Sequence, residues 1–211
     1  MDENLKLYQD KEHFRFNTDT KLLAKFVHLK KQERILDIGT NNAALLVYFD
    51  QFNVKELVGV EILEETSKVA QKNADMFIKH PVKIVNQPIQ RYEDDLFDVI
   101  VSNPPYSQRW EPQGKDNDPR YADYGVAPKA KADYAFLLHD LFHVKPDGIM
   151  TIVLPHGVLF RGGEEGKIRK NLIENNKIDA IIGLPANIFF GTGIPTIIMV
   201  LRQKRENTDV L

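Results

Sequence analysis

Short apolar runs of strand length alternate with longer stretches of helical period along most of the chain. Arg34 to Ile38 reads as a first strand closing on Gly39, then comes a helical Ala43 to Phe52. Glu56 to Ile62 is a second strand, Glu64 to Ile78 a helix, Val82 to Val85 a third strand and Phe97 to Ser102 a fourth. After an irregular stretch, Ala132 to Val144 is helical, with Phe136, Leu137, Asp140 and Leu141 at helical spacing. Ile149 to Leu154 (strand), Glu164 to Asn175 (helix), Ile178 to Leu184 and Thr196 to Arg202 (strands) complete the pattern. Strands that alternate with helices predict an α/β fold with one doubly wound, mostly parallel seven-stranded sheet and right-handed crossovers. Only Pro185 to Pro195 separates the last two strands, too little for a crossover helix, so that pair should be an antiparallel edge hairpin.

The irregular stretch runs from Ser107 to about Lys131 and holds Pro112, Pro119 and Pro128. A connection longer than ~15 residues in a compact domain is usually functional or mobile, which marks residues 107–131 as a substrate loop. The 211 residues otherwise contain no repeat, low-complexity tract or Gly/Ser linker, and one domain over 1–211 is expected.

Composition removes several classes of function. There are no cysteines, so disulfides, thiolate catalysis and Cys-ligated metal sites are excluded. Of the six histidines only His139 and His143 stand four apart, without the H-E-x-x-H pattern; no metal is expected, and His139, His143 and His156 read as structural. Apolar runs such as Ile197 to Leu201 are far short of the ~18 residues of a membrane span. The start, Met1-Asp2-Glu3-Asn4, has no cationic or apolar leader character, so a cytoplasmic location without membrane partners is expected. A net charge of −2 gives no global pull on polyanions, and a nucleic-acid partner would need a local basic patch.

Ligands of open α/β sheets lie beyond the carboxyl ends of the strands. Three features fall there. Asp37-Ile38-Gly39-Thr40 ends the first strand, where Gly39 allows close backbone approach and Asp37 can accept from an amine or ribose donor; the alternative is a glycine that merely turns the chain. Glu61 ends the second strand, 24 residues after Asp37, and can accept both hydroxyls of a ribose. Its alternative is a solvated carboxylate before a helix, beside Glu64 and Glu65. The fourth strand runs into Asn103-Pro104-Pro105-Tyr106.

That tetrapeptide is the most specific signal, expected by chance in roughly one chain of this length in a thousand. A rigid turn would explain the prolines but not the flanking Asn and Tyr. An exocyclic amine or amide nitrogen is a poor nucleophile because its lone pair is delocalised. The Asn103 side-chain oxygen and the Pro104 carbonyl can hold both of its hydrogens, so that it pyramidalises towards an electrophile. Pro104-Pro105 fixes the backbone of those acceptors in advance. Tyr106 offers a face on which an extruded flat group can stack.

A motif-I-like first strand end, an acidic second strand and NPPY after the fourth together resemble S-adenosylmethionine-dependent methyltransferases acting on amine nitrogens, whose class I fold has an antiparallel last strand. The resemblance is divided. Residues 5–106 look like bacterial tRNA(Val) adenine-N6 methyltransferases, whose F-x-x-TD-x-x-LLA segment is matched here, with one residue fewer between Phe and Thr, by Phe16-Asn17-Thr18-Asp19 and Leu22-Leu23-Ala24. Residues 101–211 look like the modification (M) subunit core of type I restriction–modification systems, through SNPPYSQRW, DPRYADYGVAPKAKADYAFLLH, LPHGVLFRGGEEGKIRK and GLPANIFFGTGIPT. A natural mosaic or an engineered chimera joined near residue 103 would explain the division.

The resemblance implies S-adenosyl-L-methionine as cofactor, bound by Asp37, Gly39, Thr40, Glu61 and Ile62, with Thr18 and Asp19 beside the methyl donor in a covering segment 1–30. It implies that Asn103, Pro104, Pro105 and Tyr106 form the catalytic site holding an adenine. It implies nucleic acid, DNA ahead of tRNA, as partner, together with a separate specificity subunit. Arg109, Trp110, Arg161 and Lys167 are the expected nucleic-acid contacts, with Lys129, Lys131, Arg169 and Lys170 nearby in sequence. An ordinary solvated helix face, and a Trp110 that anchors its loop, are the alternatives. One departure stands out: Asn41 and Ala43 occupy places where these families usually have glycine. Two other functions stay open, a protein glutamine N-methyltransferase, whose amide nitrogen poses the same problem, and a non-catalytic scaffold that no longer binds cofactor.

Overall fold

Continuous Val, Leu and Ile runs suit strands covered on both faces, and the central strands are buried almost end to end. The computed structural model describes residues 7–9, 18–185 and 193–211, with side chains from residue 22 onward in the first helix. By backbone proximity the chain divides into two compact units, residues 1–102 and 103–211.

In the first unit, β1 (Arg34–Ile38) pairs in parallel with β2 (Glu56–Glu61) on one side and with β4 (Phe97–Ser102) on the other; β3 (Val82–Asn86) pairs in parallel with β2. The edge strand β3 alone of these is half exposed along its length. Helices α1 (Thr18–Phe26), α2 (Ala44–Phe49) and α3 (Glu64–Phe77) belong to this unit. Leu36, Leu46, Phe49, Leu57, Phe97 and Ile100 form its fully buried centre. The register matters for chemistry: Ile38 is level with Val60 and with Ser102, so β1, β2 and β4 release the chain at nearly the same height.

In the second unit, β7 (Thr196–Arg202) lies antiparallel between β5 (Val144–Pro155) and β6 (Ile178–Gly183), and every residue of β7 except Arg202 is buried. The expected antiparallel hairpin is therefore present, with β6 as its outer strand. Helix α4 (Asp133–Phe142) buries Tyr134, Leu137, Leu138 and Leu141, and α5 (Gly163–Glu174) buries Ile168 and Leu172. The chain after β7 folds back on β6: Arg205 pairs with Asp179 at 2.9 Å, Leu211 N donates to the Asp179 carbonyl, and Leu211 O accepts from Ile181 N. The order of neighbouring strands is β3-β2-β1-β4 in the first unit and β5-β7-β6 in the second.

Two elements differ from the sequence expectation. β5 begins five residues early, at Val144, although only Ile149–Pro155 is laddered to β7; Pro146 and Gly148 read as turn signals, but the backbone is already extended there. α2 is shorter than expected at both ends: it stops three residues early, at Phe49, and at its start Ala43 adopts a left-handed conformation (φ 61°, ψ 24°) and cannot belong to the helix.

Candidate active site

The first loop turns from β1 into α2 through three left-handed residues, Gly39 (φ 73°), Asn41 (φ 52°) and Ala43 (φ 61°). Gly39 N and Thr40 N both donate to Val60 O, fastening the loop to β2. Around Gly39 a methyl group would meet no atom within 4 Å, so its backbone faces open space. Gly59 is the opposite case: a methyl there would sit 2.8 Å from Thr40 Cγ2 and 2.9 Å from Leu46 Cδ1. Close seating of Thr40 on β2 therefore requires glycine at 59.

That seating holds the Thr40 hydroxyl 2.7 Å from Asp37 Oδ2, to which it donates. Asp37 is buried, and burial pushes its carboxyl up to about 7, with the neighbouring Glu61 charge adding to the rise and the Thr40 hydrogen bond opposing it. Glu61 is buried too. Its Oε2 accepts from Asn41 N and its Oε1 from Leu63 N, both at 3.0 Å, so it clamps the first loop to the chain that leaves β2. The solvated-carboxylate alternative for Glu61 is excluded by this burial. Ile62 and Leu63, the next two residues, are the exposed apolar surface of this end of β2.

A feature with no motif in the sequence sits on α3. Asn73, fully buried, accepts from Tyr8 N at 2.9 Å and donates through Nδ2 to Tyr8 O at 3.0 Å and Asn42 O at 2.8 Å. One amide thus ties residues 7–9 and the first loop to the same helix, and the Lys72 ammonium lies 3.5 Å from the Tyr8 ring centre. An asparagine amid the apolar positions of α3 was the available signal. Thr18 and Asp19 lie in α1, but their side chains fall outside the described residues, as do Phe16 and Asn17.

In the second unit the tetrapeptide leaves β4 directly. Pro104 is buried and Pro105 exposed, with Asn103 and Tyr106 half-buried. The Tyr106 hydroxyl donates to Asn103 Oδ1 at 3.1 Å. Ser107 follows in the left-handed region (φ 51°), held there by Asp133: Ser107 N donates to Asp133 Oδ1 at 2.6 Å.

The expected long loop is irregular but well anchored. Trp110 Nε1 donates to Pro128 O, Trp110 N donates to Lys129 O, and its ring packs 5.6 Å from that of buried Tyr121. Trp110 is thus a loop anchor. Arg120 pairs with Asp118, whose carboxyl it holds down at about 2, and reaches His139 Nδ1 at 3.1 Å. Burial first, then His143 and Arg120, push His139 down to about 3, so it stays neutral, as a structural histidine should.

The basic residues separate into two groups. Arg109 is exposed, as is Lys167, which pairs with Glu164 at 3.0 Å. The Arg161 guanidinium is instead engaged inside the protein, 2.5 Å from Asp133 Oδ2 and 2.7 Å from Glu165 Oε2. Among the described residues no cluster of three His, Cys, Asp or Glu could hold a metal ion.

Acceptor carboxylates at the ends of β1 and β2, a prolyl turn after β4 and an antiparallel β7 define the class I methyltransferase type of α/β fold. Within it, the family model described as N-6 DNA Methylase matches residues 11–211, and the chain belongs to that family. One model thus spans both parts of the divided resemblance. Over 117 residues the chain is 46% identical to the type I restriction enzyme MpnII methylase subunit of Mycoplasma pneumoniae, covering 54% of this chain and 22% of the relative. It is 32% identical over 161 residues to the tRNA1(Val) (adenine(37)-N6)-methyltransferase of Bacteroides thetaiotaomicron, 74% of this chain and 65% of the relative. The crystal structure of the type I restriction-modification system methyltransferase subunit from Streptococcus thermophilus superposes with a TM-score of 0.80 at 38% identity, over 90% of this chain and 44% of that one. The chain therefore spans less than half the length of these type I relatives.

Proposed function

We propose that the protein transfers a methyl group from S-adenosyl-L-methionine to the N6 amine of adenine in DNA. The observation that carries this reading is the turn at 103–106, where Asn103 Oδ1 already takes a hydrogen from a donor 3.1 Å away, on a backbone that Pro104 and Pro105 have fixed. A target amine needs such an acceptor. With one N–H on Asn103 Oδ1 and the other on the Pro104 carbonyl, its lone pair leaves the plane of the ring. Tyr106 then supplies a stacking face for the extruded base.

The residues of the first loop fit the cofactor. Glu61 keeps lone pairs beyond the two it gives to backbone amides, which suits ribose hydroxyls, and exposed Ile62 and Leu63 suit a purine face. Open space around Gly39 leaves room for a ligand against the backbone. Asp37 and Thr40 shape the floor of that loop, and Thr18 and Asp19 are proposed beside the methyl donor. When bound, S-adenosyl-L-methionine supplies an electrophilic methyl on a sulfonium. No general base is obligatory, since the amine proton can leave after that charge is discharged.

Arg109 and Lys167, exposed and cationic, are proposed to meet phosphates, which position a nucleic acid without specifying its sequence. A partner subunit that reads the sequence belongs to the same reading, in keeping with the 46% identity to a type I methylase subunit. A tRNA substrate is the second reading, favoured by the 32% identity to a tRNA adenine methyltransferase. Transfer of labelled methyl groups to duplex DNA and to tRNA, in parallel and followed by nucleoside analysis, decides between them. N6-methyladenine in DNA is expected. Label confined to tRNA establishes the second reading, and label only on a glutamine-bearing protein overturns both.

A further inference from the structure

Asp133 opens α4 and reads in the sequence as an ordinary acidic residue at a helix start. Its surroundings assign it more. It is 1% exposed, and both of its oxygens point at the residue that follows the catalytic turn: Oδ1 accepts from Ser107 N at 2.6 Å, and Oδ2 accepts from Ser107 Oγ at 3.4 Å. Oδ2 also meets Arg161 Nη2 at 2.5 Å, and Arg161 Nε lies 2.7 Å from Glu165 Oε2. Ser107 is one of the few non-glycine residues with a left-handed backbone. Such a conformation persists only where the surroundings enforce it, and Asp133 is what enforces it here.

We propose that Asp133 is a positioning residue for methyl transfer: by locking Ser107 in its left-handed conformation it aims the Asn103–Tyr106 turn at the target amine. This rests on the function proposed above. Prolines 104 and 105 stiffen the turn, but stiffness alone does not set its direction, because the exit can swing about Ser107. The Asp133 carboxylate removes that freedom. Arg161 fixes the carboxylate, and Glu165 in turn holds Arg161 through its guanidinium edge, so two buried carboxylates and a half-buried guanidinium, on two helices and a loop, converge on one backbone amide. Arg161 is the link between the segment 156–165 and the catalytic turn.

The pairing of Arg161 with Glu165 survives loss of Asp133, so Asp133→Ala leaves a neutral buried pair and not an orphaned charge. The test is a set of variants read in kcat, in KM for the nucleic acid and in cofactor affinity by calorimetry. Asp133→Ala should lower kcat by about 100-fold, the scale of an ångström-sized misplacement, with cofactor affinity unchanged. Asp133→Asn keeps an acceptor for Ser107 N and should retain activity within about tenfold of the parent. Ser107→Gly in the Asp133→Ala background should recover at least about tenfold, because glycine adopts the left-handed conformation unaided. A merely structural aspartate would not be rescued by a glycine at 107. Failure of that rescue, or loss of cofactor affinity in parallel with kcat, overturns the proposal.

Should the parent protein transfer no methyl group to any adenine, the proposed function fails and the lock is judged by amide exchange at Ser107. Exchange at least about tenfold slower in the parent than in Asp133→Ala upholds the lock; equal rates dismiss it.

Discussion

The hydroxyl of Tyr106 donates to the side-chain oxygen of Asn103 at 3.1 Å, so the acceptor that the proposed function offers to a target amine is already engaged by a neighbour within its own tetrapeptide. In the proposed function the target amine competes with that hydroxyl for the same oxygen. A net hydrogen bond contributes ~0.5–1.5 kcal/mol, so Tyr106→Phe, which keeps the stacking face, should tighten KM for the nucleic acid by up to about tenfold with kcat little changed. Steady-state kinetics checks this, and a raised KM would show that the hydroxyl serves the substrate directly.

Asn103→Ala removes the acceptor itself. A pre-organised polar contact of this kind is worth ~2–4 kcal/mol in the transition state, so kcat should fall by roughly 30- to 1,000-fold. Asn103 is not one of the residues given to the cofactor in the proposed function, and calorimetry should find the cofactor affinity unaltered.

Ala43 carries a left-handed backbone and a fully buried methyl. Relief of the backbone is worth ~1–2 kcal/mol and loss of the methyl costs ~0.8, so Ala43→Gly should stabilise the fold by up to about 1 kcal/mol. Ala43→Val adds bulk and β-branching to the same conformation and should destabilise it by ~2 kcal/mol or more. Urea denaturation of both variants reads the difference; a glycine variant less stable than its parent would mean the methyl outweighs the backbone.

Gly59→Ala places a methyl 2.8 Å from Thr40 Cγ2. The overpacking should cost ~1–3 kcal/mol. Thr40→Ser deletes that methyl while keeping the hydroxyl on Asp37, so the double variant should recover part of the loss. Strict additivity in the cycle would show that Thr40 is not what excludes a side chain at 59.

Asp37 binds its proton more tightly folded than unfolded, since burial raises its carboxyl from the ordinary 3.8 to about 7. The folded state therefore holds the extra proton, and stability contributed by this group falls as pH rises from about 4 to 7, by on the order of 4 kcal/mol in full. Below that window both states are protonated; above it both are ionised. Asp50, Asp94 and Asp118, whose carboxyls are lowered, work in the opposite sense, so the informative quantity is the difference between parent and Asp37→Asn. Urea midpoints of the two should converge at pH 4 and separate, in favour of the asparagine variant, by pH 8.

The seven strands and most helices were legible because buried parallel strands are continuous apolar runs, and strand ends are where glycine, acid and proline signals concentrate. Asp37, Glu61 and Asn103 stand where their spacing put them. The anchoring of the 107–131 loop was not legible, because Trp110, Tyr121 and Ala127 pack without any period. Nor were Asn73 and Asp133: each is a single polar residue on a helix, and its meaning comes from a backbone group 65 or 26 residues away. Arg161 shows the converse, since a cation in a basic stretch reads as a phosphate contact until two buried carboxylates claim it.

The returning segment beyond β7 has a consequence of its own. Leu211 supplies both a donor and an acceptor to β6, the outer strand of the second unit, and so engages part of a backbone edge of the kind that recruits strands from other molecules. An edge engaged in this way offers fewer open backbone groups to a passing strand.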